Sequence, residues 1–117
     1  MLKGLGGLGG LGDMAKMVKA AQEMQGKLAE LQEELARTTV TGEAGAGLVK
    51  VTATAKGDIT GLDIDPLILV PSEKEVAEDL ILAAVRDALH QGRLRTEKEM
   101  TRLATELGIP PGTKLPF

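Results

Sequence analysis

The sequence predicts an α+β fold in which a long helix, a three-stranded antiparallel meander and a second long helix follow one another. Two changes of hydrophobic period indicate this order. Apolar residues recur at helical spacing before Ala36 and after Ser72, and they alternate with polar residues between these two segments. A chain of 117 residues has the length of one domain.

The first helix is predicted over residues 13–36, with Asp13 as its N-cap. Its apolar residues are spaced alternately three and four apart, which is the a/d seam of a heptad pattern. So narrow a seam on a long helix fits packing within one protomer or packing against a second helix of a dimer. With Ala21, the seam comprises Met14, Met17, Met24, Leu28, Leu31 and Leu35.

Residues 1–12 form a leader of three Gly-Leu-Gly triplets. The dinucleotide-binding pattern G-x-G-x-x-G occurs twice in it, but no strand precedes the glycines to direct them at a pyrophosphate. Glycine at this density is costly to order. The segment is therefore predicted to be a flexible leader and not a nucleotide site.

Residues 38–65 alternate between apolar and polar and are rich in valine and threonine, which is typical of strands. The face that carries Val51 is apolar and the face that carries Lys50 is polar. A two-residue turn that starts at Gly57 would pair Lys50 with Asp65. The pattern predicts a meander with one face toward water.

The second long helix is predicted over residues 72–107. Ser72 and Glu75 match the S-x-x-E capping box, and the apolar spacing continues past Gly92. Two prolines after Gly108 end the pattern, which leaves a C-terminal tail over residues 108–117.

Catalytic chemistry has little support in this sequence. The one serine, Ser72, and the one histidine, His90, would lie ~27 Å apart along a helix, and the absence of cysteine excludes thiolate metal sites. We therefore predict no catalytic, metal or cofactor site and no small-molecule substrate. Phe117 is the only aromatic residue, which argues against binding of single strands by base stacking.

The sequence contains no apolar run long enough to cross a bilayer and no recognisable signal peptide, so no membrane association and a cytoplasmic location are expected. The net charge is −3, yet residues 1–19 and 91–102 each carry a charge of +2. These two basic zones are candidate phosphate-binding surfaces, and for the second the alternative is a solvated helix face that also carries Glu97, Glu99 and Glu106. The candidate residues are Lys16, Lys19, Arg93, Arg95, Lys98 and Arg102.

Several strings resemble the YbaB/EbfC family of bacterial nucleoid-associated proteins. They are TGEAGAGLVKV, a strand that ends in DIDP, the closing PPGTKLPF and the helical KAAQEMQGKL. The resemblance covers essentially the whole chain in order. It implies a homodimer whose long helices project like the arms of tweezers.

The resemblance also implies binding to double-stranded DNA, a change in DNA conformation, and a role in nucleoid organisation and gene regulation, without a cofactor. The family's DNA contacts are placed on the first and last helices, where the two basic zones lie. The alternative function is a protein-interaction or assembly adaptor. The methionines of the seam would suit an adaptable groove for another protein.

Overall fold

A computed structural model of the chain describes the backbone of residues 2–108 and the side chains of residues 12–108. The predicted α+β order is confirmed, and the three antiparallel strands form one sheet in the order β1-β2-β3. The described residues fall into two compact units that divide between Glu30 and Leu31. The elements are helix α1 (Leu2–Arg37), strands β1 (Thr39–Ala44), β2 (Val49–Thr54) and β3 (Ile59–Ile64), 3-10 turns at Pro66–Ile68 and Pro71–Glu73, and helix α2 (Lys74–Glu106).

Helix α1 begins at Leu2, earlier than the predicted start at Asp13, so its backbone includes most of the glycine-rich leader. Each glycine in a helix interior costs ~1 kcal/mol relative to alanine. Extending an existing helix nevertheless adds one hydrogen bond per residue, whereas starting one is costly. Asp13 is therefore an interior residue of α1 and not its cap. The flexibility of the leader stays a prediction.

Helix α2 begins at Lys74 and not at the predicted capping residue Ser72. Pro71 starts a 3-10 turn that includes Ser72, and no side chain caps α2 by a hydrogen bond. The helix continues through Gly92, as predicted, and ends at Glu106. The predicted C-terminal tail lies outside the described residues beyond Gly108.

The predicted register of β2 with β3 is wrong by two residues. Lys50 lies opposite Asp63, not Asp65, because four residues and not two connect the strands. The Thr54 amide donates to the Asp58 carbonyl oxygen at 2.8 Å, which closes this longer turn. From Val49 to Thr52 the shift of two residues keeps each side chain on its predicted face, so Lys50 still lies opposite an aspartate. A bulge between Thr52 and Ala53 then places Ile59 opposite Ala53, which the alternation did not predict.

The core forms where α2 crosses the apolar face of β1 and β2. Val49 and Val51 of β2 are fully buried, as the alternation predicts, and so are Ala84 and Ala88 of α2. Alanines on the facing helix allow its backbone to approach the sheet closely, so that little space is left for a larger side chain.

Helix α2 approaches the sheet very closely at Gly42 of β1. A Cβ atom built on Gly42 would overlap the Ala88 backbone nitrogen and would lie 2.6 Å from the Ala84 carbonyl oxygen. Both atoms belong to the helix backbone and cannot rotate away. Only glycine fits at this position while α2 keeps its place.

Asp87 of α2 forms a hydrogen bond with the outer edge of β1. The Glu43 amide of β1 donates to Asp87 Oδ2 at 2.9 Å, and Gln91 Nε2 lies 3.3 Å from Asp87 Oδ1. The pKa of Asp87 lies below its ordinary value of 3.8, mainly because of the Glu43 bond and then the Gln91 bond. Burial opposes this lowering, and the charge of His90 adds the smallest contribution to it. The contact therefore favours the ionised carboxylate.

This contact predicts how stability depends on pH. Because folding lowers the pKa of Asp87, its contribution is complete above pH 3.8 and is lost as the pH falls through the lower pKa of the folded state. We expect Asp87→Asn to lower the urea midpoint at pH 7, and the difference from wild type to shrink by pH 3. Asp79→Asn, an exposed change on the same helix, is the control. If the urea midpoints of Asp87→Asn and wild type differ by the same amount at pH 7 and pH 3, the ionised carboxylate does not have this role.

Candidate nucleic-acid interface

The first basic zone lies on α1 within the unit that ends at Glu30. Lys16 and Lys19 are exposed and lie three residues apart, so they share one face of the helix. A pair of exposed ammonium groups about one turn apart can contact phosphates without reading bases.

In the second basic zone, Arg93 and Lys98 are exposed on α2. Arg93 lines a cavity of about 380 Å³ together with Lys56, a residue of the β2–β3 turn. The Thr96 hydroxyl lies 3.2 Å from the Ala55 carbonyl oxygen, which joins α2 to that turn. Lys56 is thus a further cation beside the zone, which sequence spacing missed because it belongs to another element.

Arg95 and Arg102, also predicted phosphate contacts, are joined by Glu99. Arg95 Nε lies 3.3 Å from Glu99 Oε1, and Arg102 Nη2 lies 2.6 Å from Glu99 Oε2. Arg102 Nη2 also lies 4.0 Å from Glu34 Oε2 on α1. The two guanidinium groups and two carboxylates form a cluster, called here the Glu99 cluster, that is formally neutral.

The Glu99 cluster reduces the positive charge that the sequence assigns to the second basic zone. Of the four basic residues in this zone, Arg95 and Arg102 have a carboxylate within 4.0 Å, whereas Arg93 and Lys98 have none among the described residues. The spacing of Glu99, four residues after Arg95 and three before Arg102, was a signal for these pairs in the sequence. Glu34 is far from Arg102 along the chain, so only the fold reveals that contact.

The residues of the predicted apolar seam of α1 differ in how far they are buried. Leu31 and Leu35 are buried in the core of the second unit, whereas Met14 and Met17 are exposed. Met24 and Leu28 are half-buried. Among residues 2–108, no helix is long and apolar enough to cross a membrane.

Comparison with known proteins agrees with this architecture. A nucleoid-associated protein of Maricaulis maris is 47% identical over 97 residues, which cover 83% of this chain and 91% of the relative. A nucleoid-associated protein of Agrobacterium fabrum is 44% identical over 96 residues, covering 82% and 90%. An uncharacterized protein from Helicobacter pylori shares the fold, with a TM-score of 0.58, 24% identity, and coverage of 78% of this chain and 91% of that one.

The model of the YbaB/EbfC DNA-binding family matches residues 10–107. The matched range contains α1 from residue 10 of the chain onward, all three strands and the whole of α2. It also contains each of the six basic candidate residues. The chain therefore belongs to the YbaB/EbfC DNA-binding family.

Proposed function

We propose that this protein binds double-stranded DNA as a homodimer with little sequence selectivity. The observation that carries the proposal is the exposure of Lys16, Lys19, Arg93 and Lys98 on the two long helices of a chain from a DNA-binding family. Lysine and arginine on exposed helix faces bind phosphates, and phosphate contacts carry no sequence information directly. Binding therefore depends on charge and shape.

The relatives support a proposal for the cellular role. Proteins of Maricaulis maris and Agrobacterium fabrum that are named nucleoid-associated match more than four-fifths of this chain. We infer that this protein acts at the nucleoid in the cytoplasm, where it alters DNA conformation and contributes to nucleoid organisation and gene regulation. It requires no cofactor and catalyses no reaction in this role.

An exposed apolar surface supports the homodimer. Leu62 of β3 lies directly opposite Val51 of β2, so both side chains are on the face that α2 covers only in part. Val51 is completely buried, whereas Leu62 is 53% exposed. The apolar face of the sheet thus extends beyond the helix and is available to a second copy of the chain.

A groove beside α2 is a second exposed apolar surface. It has a volume of about 490 Å³ and is lined by Leu69 and Val70, which are exposed, and by Ala77 and Ile81 of α2. The outer edge of β3 carries no further strand within residues 2–108. An open strand edge next to exposed apolar side chains is a surface on which a second protein chain can pack.

The dimer surface predicts a change in molecular mass. We expect the wild type to have about twice the 12.2 kDa of the chain in sedimentation equilibrium. Leu62→Asp with Leu69→Asp should shift this mass to that of a monomer, because a carboxylate without a partner is costly to bury. Leu82→Asp is the control, since Leu82 is exposed on α2 about 200° around the helix from the buried Ala84. An unchanged dimer in the double variant would contradict this surface.

Titration of a labelled duplex of about 20 base pairs at several salt concentrations tests the DNA-binding function. We expect the logarithm of the association constant to fall linearly and steeply with the logarithm of salt concentration, and to differ little between duplexes of unrelated sequence. Absence of binding even at low salt would reject the proposal.

The second candidate function is that of a protein-interaction adaptor, which the exposure of Met14 and Met17 on α1 favours. Flexible thioether side chains adapt to varied partner surfaces. An adaptor is expected to keep its partner when Lys16 and Lys19 become glutamine, and to lose it when Met14 and Met17 become serine. DNA binding, in contrast, should weaken when the two lysines become glutamine and should persist when the two methionines become serine.

A further inference from the structure

The Glu99 cluster has an asymmetric exposure to solvent. The side chain of Glu99 is only 13% exposed, whereas Arg95 is 46% exposed and Arg102 is 61% exposed. The carboxylate is therefore sheltered from water, whereas the two arginine side chains paired with it are substantially exposed. An ion pair in which one partner is sheltered is screened less by salt than a fully exposed one.

Glu99 also uses specific nitrogens of the two arginines. It contacts Nε of Arg95 and Nη2 of Arg102, which leaves other N–H groups of both guanidiniums for an external oxyanion. A DNA phosphate that approaches Arg95 or Arg102 presents the same kind of oxygen ligand as the carboxylate. Phosphate and Glu99 must therefore share the arginines or exchange places on them.

Resting on the proposed function, we propose that Glu99 is an internal competitor that lowers the affinity of α2 for DNA phosphates. In the free protein it neutralises part of the charge of Arg95 and Arg102, and the more distant Glu34 neutralises part of Arg102. The protein thus carries two arginines that contribute less than their full charge to DNA binding. Glu99 thereby keeps non-specific binding moderate and reversible.

Glu99→Gln tests this competition because it keeps the shape of the side chain and removes its charge. We expect tighter binding to the same duplex, by about fivefold to tenfold at 0.1 M salt, and a salt slope steeper by about 0.9, as for one additional phosphate contact. Glu34→Gln should have the same direction and a smaller effect, since Glu34 and Arg102 are both well exposed and lie 4.0 Å apart. Circular dichroism checks that each variant is folded.

Glu106→Gln is the matched control. Glu106 is exposed and follows Glu99 by seven residues, so it lies on the same face of α2 and its replacement changes the net charge equally. Equal gains in Glu99→Gln and Glu106→Gln would overturn the proposal, because they would reflect net charge alone. Weaker DNA binding by Glu99→Gln would also overturn it, since Glu99 would then position the arginines for phosphate.

Retention on immobilised heparin separates this inference from the function on which it rests. Heparin is a polyanion that requires no recognition of DNA. If no variant binds DNA but Glu99→Gln elutes from heparin at higher salt than Glu106→Gln, the competition is supported and the DNA-binding function fails. If both variants elute from heparin with the wild type, the competition is overturned whatever the result with DNA.

Discussion

Replacing Gly42 with alanine is expected to lower the free energy of unfolding by at least about 3 kcal/mol. The added methyl group would overlap the Ala88 backbone nitrogen and would lie 2.6 Å from the Ala84 carbonyl oxygen. Relief requires α2 to move away from β1, which opens the contact between the helix and the fully buried Val51. Urea unfolding at a fixed protein concentration measures the loss.

Gly61→Ala is the matched control for this prediction. Gly61 also lies in a strand of the sheet, and a Cβ atom there would be 3.5 Å from Thr52 Cβ, which is an ordinary contact distance. We expect the control to change the free energy of unfolding by less than about 1 kcal/mol. If the two variants unfold at the same urea concentration, the close approach of α2 at Gly42 does not determine stability.

The second large effect is expected in DNA binding when four exposed cations become glutamine. If the four cations of one protomer each contact one phosphate, the salt slope should fall by about 3.6 and the affinity at 0.1 M salt should fall by up to about a thousandfold. The variant keeps Arg95 and Arg102, because their loss would leave Glu99 without a partner. The changed residues are Lys16, Lys19, Arg93 and Lys98.

The control for this variant removes the same charge from other exposed positions of the chain. If binding depends only on net charge, both variants should lose affinity equally, and the assignment to the two basic zones would be contradicted. Duplex anisotropy at several salt concentrations distinguishes these results, with molecular mass measured to verify that the oligomeric state is unchanged. The control residues are Arg37, Lys50, Lys74 and Arg86.

The sequence allowed the strand faces to be predicted but not the register of β2 with β3. Alternation assigns Val51 to one face and Lys50 to the other, and this assignment survives any even shift. The register depends on how the chain closes the turn, where the Thr54 amide bonds to the Asp58 carbonyl. Turn closure of this kind involves backbone geometry that residue types alone do not specify.

The basic residues of the candidate site could be identified from the sequence, but which of them are paired with carboxylates could not. Helical spacing placed Arg95 and Arg102 on one face of α2, which agrees with their shared contact to Glu99. Glu34 reaches Arg102 only because the end of α1 lies near α2 within the second unit. Contacts between distant residues depend on packing, and packing also decides that Gly42 tolerates no side chain.

The two outer strands of the sheet differ in a way that bears on the size of any assembly. At Glu43 of β1, the backbone N–H that a further strand would use already donates to the Asp87 carboxylate of α2. Edge-to-edge growth without limit needs two open edges on every subunit, one to receive a neighbour and one to be received. With β1 blocked at Glu43, pairing through β3 in the proposed homodimer would be self-terminating: the association would close after two chains, and growth of the sheet into fibres would be disfavoured.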